Sequence, residues 1–138
     1  MITITTIEEV YRHMPIEIIP VRTKHDLNNF IKLPWKIYKG NNCWVPPLIN
    51  DLKKTLTPLI DPNTRNRQCE LYLGLLDGIP QARIFTGIDE TLNKKKNSKM
   101  GYFSMFECVN DIEIAKAIFN KAFSWFSGND IELVRGPV

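Results

Sequence analysis

The stretch MGYFSMFECVNDIEIAKAIFNKAFSWFSGNDIELV, residues 100–134, changes its period twice. From Met100 to Val109, aromatic and apolar residues crowd together as in a strand covered on at least part of both faces. From about 111 to 126 the apolar positions recur at helical spacing. Ala115, Ile118, Ala122 and Phe126 form one stripe, which Phe119 and Phe123 widen, and Gly128 is placed to end the helix. Residues 130–138 then return to strand character. A strand, a helix and a strand of these lengths predict a parallel crossover between residues 100–109 and 131–135.

The junction inside this unit, Asn110-Asp111-Ile112-Glu113, has no glycine and carries two carboxylates. A strand-to-helix turn offers free backbone N–H groups and the positive end of a helix dipole, which together favour a phosphate. Here the acids favour another use. Asn110 as N-cap with Glu113 three positions on approximates a capping box, and acidic groups in a first turn complement the dipole themselves.

Working outward towards the N-terminus, residues 69–89 read as two strands joined at Asp77-Gly78, a dipeptide suited to a tight turn with positive φ. The run Lys94-Lys95-Lys96, with Lys99 nearby, reads as a solvated hairpin tip between the second of these strands and residues 100–109. Residues 57–68 hold two prolines and read as a long loop. Before it, Pro47 is expected at the first position of a helix lined by Leu48, Leu52 and Leu56. Thr23 and Asp26 resemble a capping box for a helix with Leu27, Phe30 and Ile31 on one face, and Pro34 is expected to stop or kink it near Lys32. Residues 16–21, with Pro20, read as a short strand at a sheet edge. The order is β-α-α-β-β-β-α-β, an α/β chain of about five strands, with residues 1–15 as an extension.

At 138 residues the chain fits one domain, and 43% hydrophobic with 24% charged residues is ordinary for a globular protein. A net charge of +3 is too slight and dispersed for a nucleic-acid surface. The cysteines, Cys43, Cys69 and Cys108, are odd in number and lack paired spacing, so neither a disulfide framework nor a metal site is indicated, and a reducing cytoplasm is expected. Glu8, Glu9 and Arg12 interrupt the N-terminal apolar stretches as no signal peptide would, and no apolar run is long enough to span a membrane. A membrane partner is therefore not expected.

The segments LPWKIYKGNNCWVPPLINDL, MGYFSMFECVNDIEIAKAIFNKAFSWF and VRGPV, set in this element order, resemble the N-terminal half of longer bacterial GNAT-like proteins, within the GNAT-type N-acetyltransferase superfamily. The resemblance covers nearly everything after residue 16. It implies acetyl-CoA or CoA as the ligand, with the pantetheine arm along the main chain of Glu107, Cys108 and Val109. It also implies a pyrophosphate loop in which Asn110 and Glu113 replace a Gln/Arg and a glycine, and Ala115 keeps the final small residue. A complete GNAT domain continues with a further helix and hairpin, so the fold is expected to be incomplete at its C-terminus. The missing half, or a second copy in a homodimer, is the expected partner.

Two roles follow from the resemblance. One is a GNAT-like half that is weakly or not catalytic alone, the reading that Asp111 and Glu113 favour because their charge repels a diphosphate. The alternative is an acetyl-CoA-dependent N-acetyltransferase active as a homo-oligomer. In either, Glu107 is the candidate general base and Tyr102 the candidate acid for a leaving thiolate. Cys108 reads as a small buried hydrophobe rather than a nucleophile. His13 and His25 are too isolated for a triad. Trp35, Tyr38 and Trp44 read as packing between a bent helix pair and the sheet.

Overall fold

The computed structural model describes residues 14–65 and 68–138; His13 and the N-terminal extension, apart from Met14 and Pro15, lie outside them. Five strands form one sheet in chain order: β1 (Ile16–Pro20), β2 (Cys69–Leu76), β3 (Ile79–Ile88), β4 (Met100–Cys108) and β5 (Leu133–Arg135). All neighbours are antiparallel except β4 and β5, which are parallel, as the period changes in residues 100–134 require. At the β2–β3 turn Asp77 has φ 50° and Gly78 φ 76°, the paired positive values that an Asp-Gly hairpin supplies.

Helices α1 (Lys24–Ile37) and α2 (Ile49–Ile60) cover one face of the sheet, and α4 (Ile112–Gly128) covers the other. On the first face Val21, Leu27, Phe30, Ile31, Leu56, Ile60, Leu71 and Leu73 are buried together. On the second, Ile114, Ile118, Ala122 and Phe126 pack on Tyr72, Leu76, Ala82 and Ile84. The α4 stripe thus runs through Ile114 in place of Ala115, which is only half-buried. Thr23 caps α1 as its sequence predicts, its hydroxyl accepting from the Asp26 amide at 3.0 Å.

Four expectations need correction. Pro34 neither stops nor ends α1, which continues to Ile37 with Pro34 buried inside it. The helix tolerates the proline because the carbonyl it leaves without a donor, that of Phe30, accepts from Arg83 Nη1 at 2.7 Å. α2 begins at Ile49, so Pro47 precedes it and Leu48, 71% exposed, stands at its N-cap and not on a stripe with Leu52 and Leu56. It also runs on through Pro58, because Leu56 and Ile60 are buried one turn apart and anchor the final turn. The lysine run belongs to a short helix, α3 (Glu90–Lys96), in the β3–β4 connection. Asp89 caps it, accepting from the Leu92 amide at 2.9 Å, Asn97 closes it in the left-handed region, and the lysines sit at the negative end of its dipole.

Close packing fixes the start of β4 against the end of α4. A Cβ at Gly101 would lie 2.5 and 2.7 Å from the Phe126 ring and 3.2 Å from Ile131 Cγ2. Gly101→Ala is therefore expected to cost about 1–3 kcal/mol, read as a lower midpoint in chemical denaturation, because a buried aromatic ring must move to admit the methyl group.

Candidate functional site

β4 is regular only at its start. It pairs with β5 at Met100, Gly101 and Tyr102. Its pairing with β3 shifts register between Arg83 and Phe85, and Met105 at that point has φ 55°, the mark of a bulge. The bulge bends the second half of β4. Val138 N–H donates to the Phe103 carbonyl at 3.1 Å, and beyond that bond no described residue pairs with the edge facing β5. Val109 N–H goes to Gln81 on the β3 side at 3.0 Å, so strand alternation turns Glu107 N–H the same way and points those of Phe106 and Cys108 to the open edge. Of the three main-chain positions implied for pantetheine, only Cys108 offers a free-facing amide, and Phe106 joins it.

The side chain of Glu107 lies on the α1 face of the sheet, where its Oε2 accepts a hydrogen bond from the Tyr38 hydroxyl at 2.7 Å. Tyr38 follows directly on α1. Its ring stacks on Trp44 with centroids 5.3 Å apart, and Trp44 in turn meets Trp35 edge-on at 5.1 Å. The three aromatics thus pack on one another and aim a phenol at the carboxylate. That bond to Glu107 raises the pKa of Tyr38, keeping the phenol protonated at neutral pH.

Directly across the ladder from Glu107 stands Arg83, 6% exposed. Its Nε donates to the Met105 carbonyl at 3.0 Å, and Nη1 donates to the carbonyls of Phe30 and Ile31 at 2.7 and 3.3 Å. Burial pulls its pKa down to about 10, partly opposed by the charge of Glu107, so the guanidinium stays cationic. One side chain therefore ties the interrupted turn of α1 to the bulge in β4 and sets a positive charge beside Glu107.

Tyr102 is not brought to this group. Its ring stacks on Phe85 at 6.1 Å and lies over Gly87 of β3, away from β5, and burial raises its pKa. Cys108 has its pKa raised by burial and then by the charge of Asp111, as an inert thiol should. His25 lies 3.3 Å from the Asn29 amide at the start of α1, apart from the site. Among the described residues no cluster of His, Cys, Asp and Glu is arranged to hold a metal.

At the α4 N-terminus the cap is Asp111, one residue later than the sequence reading places it, and its Oδ1 accepts from the Glu113 amide at 3.0 Å. The Ala115 amide is used within the helix, donating to the Asp111 carbonyl at 3.2 Å. Of the first-turn amides, that of Ile112, in a residue 66% exposed, is left to face a ligand, with two carboxylates beside it, whereas Ile114 is buried in the core.

What sequence reasoning missed is Tyr38 as a partner of Glu107, 69 residues away. The available signal was its position two residues before Gly40, at a helix end, where a side chain is released from helical direction.

No protein-family model matches the chain. Two curated proteins are similar in sequence. Bacterial ceramide synthase of Caulobacter vibrioides (strain NA1000 / CB15N) is 26% identical over 123 residues, which is 88% of this chain and 32% of that protein. Protein YghO of Escherichia coli (strain K12) is 25% identical over 114 residues, 83% of this chain and 29% of that protein. The chain thus spans about a third of the length of the curated relatives it matches. Among solved structures, aminoglycoside N-acetyltransferase AAC(6')-Iy in complex with CoA superposes with a TM-score of 0.66 at 9% identity, covering 92% of this chain and 79% of that one. A predicted acetyltransferase from Clostridium acetobutylicum, solved with acetyl-CoA, gives 0.64 at 11% identity, covering 90% and 81%. The bulged fourth strand, its parallel neighbour and the helix between them are thus set in the fold of the GNAT-type N-acetyltransferases.

Proposed function

We propose that this chain is one half of a GNAT-type N-acyltransferase, the half that carries the amine-activating carboxylate. The observation that supports it is the 2.7 Å hydrogen bond from Tyr38 to Glu107, held on a bulged strand beside an open edge. An acyl thioester of coenzyme A would supply the activated carbonyl carbon. Glu107 takes the proton from the attacking amine while Tyr38 holds one carboxylate oxygen in place, and the amides of Phe106 and Cys108 line the edge along which the acyl donor lies. Arg83, across the ladder from Glu107, holds the bulge of β4 through its bond to the Met105 carbonyl and so helps to fix where the carboxylate stands.

A ceramide is by definition the amide of a long-chain amino alcohol. On the likeness to the ceramide synthase, the acceptor proposed is a long-chain primary amine. The length of the relatives and the acidic α4 N-terminus together favour weak coenzyme affinity for this chain alone. A companion half, from a longer chain or a second copy across the β5 edge, would then complete the cradle.

Calorimetric titration of the chain with CoA and acetyl-CoA tests the reading. Weak binding is expected, strengthened about tenfold in Glu113→Gly, since removing a charge and a side chain next to the diphosphate is worth about 1.4 kcal/mol. Unchanged or weaker affinity in Glu113→Gly would show that the diphosphate does not sit at α4. An absence of heat with either ligand at millimolar concentration would overturn the acyl-CoA reading for this chain.

A further inference from the structure

The connection from α1 to α2 leaves apolar side chains in water. Val45 is 83% and Leu48 71% exposed, and Pro46 and Pro47 between them are exposed as well. Packing does not explain this, because α2 starts only at Ile49 and the core is already closed by Leu56 and Ile60. Behind the loop is a cavity of about 720 Å³ lined by Trp35, Pro46, Pro47 and Leu48, with Lys32 and Lys53 among its walls. The same two lysines line an adjoining cleft of about 630 Å³ between α1 and α2, together with Lys24, His25 and Asn28.

This surface is charged as well as apolar. Asp51 is the one acidic side chain lining the two cavities, against three lysines, and none of the three makes an ion pair among the described residues. The unmet needs of the site are thus an anion for Lys24, Lys32 and Lys53 and an apolar phase for Val45 and Leu48. A protruding apolar hook framed by cations is the pattern of interfacial membrane binding, in which shallow insertion and attraction to anionic headgroups add together.

We infer that the α1–α2 side of this chain docks on an anionic bilayer. Val45 and Leu48 enter the acyl boundary, and the three lysines engage the phosphates of anionic lipids such as phosphatidylglycerol. Docking in this orientation sets the bilayer on the same side as Trp35, Trp44 and Tyr38, the side chains that lead to Glu107. The inference stands apart from acyl transfer and is tested without it.

Vesicle co-sedimentation with the chain is the experiment. Strong binding to mixed phosphatidylglycerol–phosphatidylcholine vesicles is expected, with little to pure phosphatidylcholine and marked weakening by salt. Lys32→Ala with Lys53→Ala should weaken it about 30-fold, the equivalent of two phosphate-facing lysines. Val45→Ser with Leu48→Ser should weaken it about tenfold by removing inserted apolar surface. All four positions are exposed or at a cavity rim, and unchanged circular dichroism controls for folding. Failure to sediment with anionic vesicles at low salt, or binding indifferent to both double variants, would overturn the inference. Release from vesicles by millimolar glycerol 3-phosphate would overturn it too, since the cleft would then be a pocket for a free phosphate. Light scattering that shows a dimer dissolved by Val45→Ser would do so in favour of a second copy as the occupant.

Discussion

Glu107→Gln should slow transfer of an acyl group from its coenzyme A thioester to a long-chain primary amine by about 10²–10⁴-fold, followed as release of free thiol. Glutamine keeps the size of the side chain and an oxygen able to accept from Tyr38, so the packing around the 2.7 Å bond survives. It cannot take a proton. The loss should therefore fall on kcat with little change in coenzyme affinity, because on the proposed reading the acyl donor lies along main-chain amides of β4 and not on the Glu107 side chain. Tyr38→Phe removes only the hydrogen bond that orients the carboxylate and should cost far less than the loss of the base. Full activity in Glu107→Gln would place the base elsewhere. An equal loss in both variants would make Tyr38 an essential participant and not a positioning group.

This site and its surroundings were unevenly legible in the sequence. The hairpin at Asp77-Gly78 and the crossover from β4 through α4 to β5 were readable because each rests on local rules, a turn that needs positive φ and a periodicity that changes from strand to helix. Glu107 was readable as a carboxylate in an apolar strand. Its partners were not, since Tyr38 and Arg83 reach it only once α1 lies on the sheet. The lysine run was misread because its charge outweighed a quieter signal, Asp89 placed to cap a helix that Asn97 closes. The sequence expectation of no membrane partner followed from the lack of a spanning segment, a property that says nothing about docking on a surface. Leu48, read as part of a leucine stripe on a helix, precedes that helix and is exposed because α2 starts two residues later than Pro47 announces.

The largest misreading, at Pro34, leads to the largest expected change in stability. Arg83→Met is expected to destabilise the fold by about 2–4 kcal/mol in chemical denaturation, since it leaves the carbonyls of Phe30 and Met105 without the donors they now have. Methionine fills much of the space, so the loss is mainly of hydrogen bonds. The cause is separable from any general effect of core substitution by a double-mutant cycle with Pro34→Ala. Alanine at 34 supplies the N–H that a helix would send to the Phe30 carbonyl. In the native background that carbonyl already has Arg83 as its donor, so the new amide adds little and the lost ring leaves a small void. In the Arg83→Met background the same amide meets an orphaned acceptor and should restore about 1 kcal/mol. The two substitutions should thus be non-additive, with Pro34→Ala markedly more favourable when Arg83 is absent. Strict additivity would mean that the guanidinium does not substitute for the missing proline donor, and that α1 passes residue 34 for some other reason.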